Sequence, residues 1–245
     1  MIGQSSGVPR LHVAEALRAD AEATLSGAQS HYLAHVLRLR AGSAVRVFNA
    51  SDGEWLAYIV EAKKAVTIRC ERHLDDAKPP PDIDYVFAPL KHLRLDYVVQ
   101  KATELGARRL RPVMTARTVA VRVNLERMRA NVIEAAKQCN LVYIPEVYEP
   151  QSLTELVAGW DSHRAAVYCD ETAPVADPFN ALKSLRLPAA VIIGPEGGFT
   201  TEERRALRQL PFVTAISLGP RTMRADTAAI AALSLVQSVI GDWRA

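Results

Sequence analysis

Two stretches of sequence decide how this chain folds: Ile193-Gly194-Pro195-Glu196-Gly197-Gly198-Phe199-Thr200 and Ser217-Leu218-Gly219-Pro220-Arg221-Thr222-Met223-Arg224-Ala225-Asp226-Thr227-Ala228. Each follows a short apolar run typical of a buried strand, and each leads into the start of a helix. Glycine lets the main chain approach a ligand closely, and open α/β sheets bind ligands at the carboxyl ends of their strands. The two stretches therefore predict one shared small-molecule pocket.

Around these stretches the chain alternates between strand and helix. The capping-box patterns Ser152–Glu155 and Thr200–Glu203 each predict a helix start. The last helix is expected to begin near Asp226. Strands are predicted at residues 85–88, 110–114, 165–168, 189–193 and 213–218, and further helices at 95–105 and 124–139. This alternation predicts an α/β domain with a mainly parallel sheet.

The first seventy-odd residues are β-rich instead, with one short helix. Ser26 is expected to cap a helix that reaches about Arg38 and buries Tyr32, Leu33, Val36 and Leu37. Strands are predicted at residues 44–48, 55–60 and 66–70. Residues 75–82 contain three consecutive prolines and read as a linker. We therefore expect two domains, residues 1–76 and residues 82–245.

The composition is that of a globular protein outside the membrane. The 245 residues are 49% hydrophobic, and no apolar run approaches the roughly 18 residues needed to cross a bilayer. The first residues lack the basic start and apolar core of a secretory signal. Cys70, Cys139 and Cys169 lie far apart, which favours reduced thiols and a cytoplasmic location over a disulfide framework.

The positive charge is concentrated in one segment. The net charge is +3, but residues 91–130 contain ten Lys and Arg against three Asp and Glu, a local excess of seven. Such a segment favours a polyanionic partner, since phosphate contacts supply much of the affinity for nucleic acids. A solvated surface explains the charge alone equally well.

Other familiar motifs are absent from the sequence. The first glycine stretch lacks the Gly-Lys-Ser/Thr ending of a phosphate loop, which argues against a nucleotide-hydrolysing enzyme, and it lacks the G-x-G-x-x-G spacing of dinucleotide folds. His31 and His35 lie one helical turn apart but have no obvious third ligand, so no metal is expected.

Several segments, taken in order, resemble one known family, the SPOUT-class methyltransferases that methylate N3 of a uridine in 16S ribosomal RNA. The segments are residues 9–13, 35–42, 96–106, 134–138, 191–200 and 217–228. The resemblance implies an N-terminal PUA-like β-barrel and a C-terminal SPOUT α/β domain with a trefoil knot. It also implies S-adenosylmethionine as methyl donor and a homodimer. One departure is Asp226, where the family often has glutamate.

The resemblance also implies which residues hold the cofactor, chiefly through backbone groups of the two glycine stretches. Each glycine taken singly is equally well explained by turn geometry. Clustering of three glycines within five residues favours the ligand-binding interpretation for the set. The cofactor-binding candidates are Gly194, Pro195, Glu196, Gly197, Gly198, Ser217, Leu218, Gly219, Met223 and Ala228.

Methylation of uridine N3 requires loss of its proton, or stabilisation of the anion spread over O2 and O4. Arg224 is the leading candidate to stabilise that charge or to hold a phosphate, because its guanidinium is permanently cationic. Asp226 or Glu196 could accept the proton if burial raises the pKa of its carboxyl group. The structural alternatives are a helix N-cap for Asp226 and a loop-bracing acceptor for Glu196.

RNA contact is expected from arginine and lysine side chains in both domains. Each of them taken singly is more often a solvated surface charge. The candidates are Arg10, Arg38, Arg40, Lys91, Arg94, Arg117 and Arg122. Two alternatives remain open at this point, a SPOUT ribose 2′-O-methyltransferase and a non-catalytic RNA-binding protein.

Overall fold

A computed structural model describes residues 7–120, 122–173 and 177–244, except for the side chain of His92. Contacts divide the chain into two units. The first contains the residues up to 78 together with 136–144, and the second contains residues 79–135 and those from 145 onward. The division predicted from the proline-rich linker did not place residues 136–144 in the first unit. Within the described ranges, none of the helices has the length and apolar character needed to span a bilayer.

The first unit is built on a five-stranded sheet. Its strand order is β1 (Arg10–His12), β3 (Ala44–Asn49), β4 (Gly53–Ala62), β5 (Val66–Asp75) and β2 (Glu22–Thr24). The β1–β3 pair is parallel and the other pairs are antiparallel. Alternate apolar side chains from these strands form one buried core. The three strands predicted at 44–48, 55–60 and 66–70 are confirmed, and each is longer than expected.

The helix predicted after Ser26 is confirmed, but its buried face is not. Ser26 caps α1 (Gly27–His31) in a capping box with Gln29, and the chain continues as a π-helical turn over Tyr32–Val36. Leu33 is fully buried, whereas Tyr32, Val36 and Leu37 are exposed, so the expected four-residue apolar face was wrong. The reason is the i→i+5 hydrogen bonding of this turn, which moves side chains away from the 3.6-residue spacing.

The second unit contains a parallel sheet, as predicted. Its strand order is β12 (Val213–Ile216), β10 (Ala165–Cys169), β11 (Ala189–Ile193), β6 (Ile83–Phe87), β7 (Arg109–Met114) and β8 (Glu146–Val147), with β9 (Gln151–Ser152) also paired to β7. Every recorded pair in it is parallel. The central strands β6 and β11 are buried along their whole length, as expected when helices cover both faces.

Helices connect these strands, and several begin where the sequence predicted. They are α2 (His92–Glu104), α3 (Leu125–Gln138), α4 (Leu153–Ala158), α5 (Pro178–Lys183), α6 (Thr201–Arg208) and α7 (Ala225–Ile240), followed by a short 3-10 turn at Asp242–Arg244. Both capping boxes are confirmed, at the starts of α4 and α6. The N-cap of α7 is Arg224, so the interpretation of Asp226 as an N-cap was wrong and Asp226 lies in the first turn.

A buried ion cluster joins the amino ends of three strands. Asp84, the second residue of β6, is 1% exposed and accepts hydrogen bonds from Arg109 at 2.8 Å and Arg111 at 3.3 Å. Arg164, next to the start of β10, lies 3.5 Å from the same carboxylate. Burial raises the pKa of Asp84, and the surrounding guanidinium groups oppose that effect only in part.

We predict that Asp84→Ala lowers the free energy of unfolding by about 3–5 kcal/mol, because it removes the buried carboxylate that pairs with Arg109 and Arg111 and lies beside Arg164. Urea denaturation at pH 7 measures this loss. Asp82→Ala is the matched control, since Asp82 belongs to the same cluster but its side chain is 29% exposed. We expect a clearly smaller loss there. Equal losses in the two variants would contradict the importance assigned to burial.

Candidate functional site

Three neighbouring strands of the second unit end at one cavity. Because β12, β10 and β11 are adjacent and parallel, their carboxyl ends lie at the same edge of the sheet. The loops that follow these strands surround a cavity of about 550 Å³. Its lining includes residues from all three loops, from the start of α7, and Arg94 from α2. The two glycine stretches therefore do meet at one cavity.

The cavity collects most of the residues that the sequence singled out. Ser217 is not among the lining residues, and its hydroxyl lies 3.3 Å from both the amide nitrogen and the carbonyl oxygen of Gly219, within the second loop. Asp226 is not among them either. The candidates that do line the cavity are Gly194, Pro195, Glu196, Gly197, Gly198, Leu218, Gly219, Met223, Arg224 and Ala228.

The first loop, residues 194–200, is tight because glycine permits close packing. A Cβ atom at Gly194 would lie 2.7 Å from the ring of Phe199. That ring is almost fully buried and makes an edge-to-face contact with Tyr168 of β10. Gly198 has a φ of +65°, which favours glycine. The loop therefore folds back onto its own phenylalanine, and its main chain forms part of the cavity wall.

The second loop, residues 217–224, needs glycine for its backbone conformation. Gly219 has a φ of +111°, and nothing lies within 4 Å of where its Cβ would be. The main chain at Gly219 is therefore exposed to the cavity without a side chain in the way. Leu218 and Met223, both half-buried, add apolar surface beside it.

The third loop, which follows β10, was missed by the sequence analysis. It brings Asp170 and Glu171 to the cavity, and Asp170 is 4% exposed. Asp170 accepts hydrogen bonds from the backbone and hydroxyl of Thr172, and from Arg208 at 2.6 Å. Burial alone would raise the pKa of Asp170, but these contacts outweigh it and lower the pKa below its usual value. Open α/β sheets bind ligands at the carboxyl ends of their strands, and the same rule applied to the strand predicted at residues 165–168 would have pointed to this loop.

Two of the three candidate catalytic residues, Arg224 and Glu196, line the cavity, and Asp226 does not. Arg224 is exposed, lines the cavity, and makes no capping hydrogen bond through its side chain. The side chain of Asp226 is mostly buried and lies 4.0 Å from Nε of Arg94. Glu196 is exposed, so the burial that the sequence analysis required of a proton acceptor is absent there.

Two of the RNA-binding candidates have other partners. Arg10 is 7% exposed, forms an ion pair with Glu54, and donates to the carbonyl oxygens of Ala136 and Leu141. Its guanidinium also lies 3.7 Å from the ring centre of Phe48. This corrects the expectation for Arg10, because a buried and fully engaged guanidinium holds the first unit together and does not face a phosphate. Arg117 donates a hydrogen bond to the carbonyl oxygen of Gly197 in the first loop.

The remaining RNA-binding candidates are accessible. Arg38, whose φ is +56°, and Arg40 line a cavity of about 440 Å³ on the first unit together with His35 and Lys63. Arg94 lies at the cavity of the second unit. Lys91 and Arg122 are exposed. The part of the chain that the structure describes contains no cluster of three or more His, Cys, Asp or Glu side chains placed to hold a metal ion.

Comparison with known proteins defines the class. A family model described as an RNA methyltransferase domain matches residues 77–237, and one described as an RNA methyltransferase PUA domain matches residues 25–70. The ribosomal RNA small subunit methyltransferase E of Rickettsia conorii is 30% identical over 84% of this chain and 85% of its own length. The Synechocystis protein of the same name is 31% identical over 94% of this chain and 78% of its own length.

Solved structures agree with these matches. A Legionella pneumophila protein solved in complex with the cofactor SAM is 30% identical, covers 96% of this chain and 99% of its own, and superposes with a TM-score of 0.82. A Neisseria gonorrhoeae protein that is 24% identical shows the same fold with a TM-score of 0.84, over 97% of this chain and 100% of its own. The two domains and the fold are those of an RNA methyltransferase with a PUA domain. The chain belongs to the ribosomal RNA small subunit methyltransferase E family, which confirms the resemblance.

We predict that Asp170→Asn lowers the free energy of unfolding at pH 7 by about 1.5–3 kcal/mol, the range for hydrogen bonds to charged groups. The pKa of Asp170 is lower in the folded protein than in the unfolded chain. Its carboxylate therefore contributes fully to the stability of the fold above the unfolded pKa of 3.8, and this contribution is lost as the pH falls through the folded-state pKa. The difference between the two proteins should therefore stay constant from neutral pH downward and shrink only in strong acid. Urea denaturation across that range measures it.

Glu171→Gln serves as the control for this prediction, because the neighbouring carboxylate is 53% exposed and, among the described residues, its ion pair is with Arg204 at 3.2 Å. We expect little change in stability from it at any pH. A difference between Asp170→Asn and the unaltered protein that grows as the pH falls would show that the carboxylate is not stabilised in the folded state.

Proposed function

We propose that this protein transfers a methyl group from S-adenosylmethionine to N3 of a uridine in 16S ribosomal RNA. The observation that carries the proposal is the meeting of three strand-end loops, two of them glycine-bearing, at one cavity in a member of this family. The names of the relatives specify ribosomal RNA of the small subunit, and a 30% identical structure holds SAM. The uridine N3 position rests on the family resemblance of the sequence.

The residues around the cavity fit S-adenosylmethionine. A volume of about 550 Å³ suits a ligand of that size. Apolar side chains of Leu218 and Met223 suit the adenine ring, and the open main chain at Gly219 offers hydrogen-bonding groups to a polar ligand. The carboxylates of Glu171 and Glu196 at the cavity suit a ligand that carries an ammonium and a sulfonium charge. When bound, the cofactor supplies an activated methyl group.

Arg224 is proposed to stabilise the negative charge of the deprotonated uracil. Its guanidinium is not used in capping α7, and it stands at the N-terminus of that helix, where unpaired N–H groups add further positive potential. Charge stabilisation by fixed donors is a large catalytic contribution when water is excluded. Positioning of the acceptor against the methyl group adds a second contribution.

Asp226 is proposed as the proton acceptor in preference to Glu196. Its side chain is mostly buried in the first turn of α7, whereas Glu196 is exposed. Nε of Arg94, a residue that lines the cavity, lies 4.0 Å from the carboxylate of Asp226 and links it to the site. Ser217 is proposed to support the cofactor through the backbone of Gly219, to which its hydroxyl is bonded.

RNA contact is proposed for the accessible cations Arg38, Arg40, Lys91, Arg94 and Arg122, divided between a PUA-like domain and the methyltransferase domain. By family resemblance, the proposal includes a trefoil knot, a homodimer and a cytoplasmic location. The side chains of Leu93 and Tyr97 on α2, which flank the cavity residue Arg94 in sequence, are exposed and are the candidates for a dimer contact.

The test is to incubate the protein with small ribosomal subunits, or with free 16S ribosomal RNA, and labelled S-adenosylmethionine. Mass mapping of the nucleosides should then show 3-methyluridine. A ribose 2′-O-methylated product would favour the ribose methyltransferase instead. Cofactor-independent RNA binding without any methyl transfer would favour the non-catalytic RNA-binding protein.

We predict that Arg224→Ala lowers kcat for methyl transfer by about 10²- to 10³-fold, the effect typical of removing one charge-stabilising donor. The dissociation constant for S-adenosylmethionine, measured by calorimetry, should stay unchanged. Arg205→Ala is the control, because Arg205 is exposed on α6 and does not line the cavity. Unchanged turnover in Arg224→Ala would remove this residue from the chemistry.

A further inference from the structure

Arg117 contacts the first glycine loop, although the sequence suggested a role in RNA binding. Its Nη1 donates a hydrogen bond of 2.8 Å to the carbonyl oxygen of Gly197. A Cβ at Gly197 would lie 3.5 Å from Cδ and 3.6 Å from Cβ of Arg117, so the aliphatic part of the arginine runs along this glycine. The arginine therefore both covers the Gly197 peptide and holds its carbonyl oxygen.

The segment that carries Arg117 is itself held in place. The backbone N–H of Thr115 donates to the hydroxyl of Thr118 at 2.9 Å, and the two hydroxyl groups are also 2.9 Å apart. The backbone N–H of Ala116 donates to Glu203 at 2.8 Å. Because Glu203 also completes the capping box of α6, this turn is tied to the helix that follows the glycine loop. Arg117 is thus presented to Gly197 from a fixed turn.

A second arginine holds the other end of the loop. Nε of Arg204 donates to the carbonyl oxygen of Phe199 at 3.2 Å, and its Nη2 binds Glu171 at 3.2 Å. Two arginines from different segments therefore each hold one carbonyl oxygen of the loop. Adjacent glycines lose much conformational freedom when they are ordered, and a loop that is already fixed loses less on binding a ligand.

We infer that Arg117 is a positioning residue, which fixes the Gly197 peptide in the conformation that binds the methyl donor. Arg117 is not one of the residues lining the cavity, so it acts through the loop and touches neither the reacting atoms nor the cofactor. This inference rests on the proposed function. Its consequence is that loss of the guanidinium weakens cofactor binding and leaves the methyl-transfer step unchanged.

The experiment compares Arg117→Ala, Arg117→Lys and Arg122→Ala in the full-length protein. Calorimetry gives the Kd for S-adenosylmethionine, and steady-state assays give its KM and kcat. Arg117→Ala should raise Kd and KM roughly tenfold, the scale of one hydrogen bond from a charged group, with kcat and RNA affinity unchanged. Arg117→Lys should recover part of the affinity, because an ammonium group can donate to the same carbonyl oxygen.

Arg122→Ala is the matched control, since Arg122 is exposed in the same basic segment and none of the described contacts links it to the glycine loop. It should leave cofactor affinity unchanged and weaken RNA binding. Weaker RNA binding by Arg117→Ala with normal cofactor affinity would overturn the inference in favour of a phosphate contact. A fall in kcat with unchanged KM would also overturn it. If the unaltered protein bound no S-adenosylmethionine, the proposed function itself would fail.

Discussion

The parallel pairing of β12, β10 and β11 is the constraint on which the site depends, because it sends three loops to the same edge of one sheet. Each loop then contributes something different. The loop after β11 supplies a tight glycine turn packed on Phe199, and the loop after β12 supplies open main chain at Gly219. The loop after β10 supplies carboxylates. An antiparallel neighbour would place its loop at the opposite edge and remove one wall of the cavity.

Ion pairs stabilise the opposite edge of the same sheet. Asp82, just before the start of β6, and Asp84, its second residue, bind Arg109 at the start of β7 and Arg164 beside the start of β10. These contacts connect strands that are far apart in sequence, and they satisfy guanidinium groups that would otherwise be costly to bury. The sheet is thereby fixed at its amino edge, and its carboxyl edge remains open for ligand contacts.

The sequence predicted those structural features that depend on interactions between residues close together in the chain. The capping boxes at Ser152 and Thr200 and the glycine loops depend on residues within a few positions of each other, and they were predictable. The π-helical turn after α1 was not, because hydrophobic spacing assumes a regular helix. The contact of Arg10 with the carbonyl of Ala136 and that of Arg117 with Gly197 join residues far apart in the chain. Only the folded structure brings such partners together, so their positive charge alone suggested RNA.

Charge is divided unequally around the cavity, and this division suits the proposed reaction. On the β10 side, Asp170 is paired with Arg208 and Glu171 with Arg204, so the positive charge of each arginine is offset by a carboxylate. On the α7 side, the described contacts give Arg221 and Arg224 no acidic partner, and the helix N-terminus adds positive potential. A cationic methyl donor is better accommodated on the first side, and an anionic nucleic acid on the second. The nucleophile would then approach the donor from the side where its developing negative charge is stabilised.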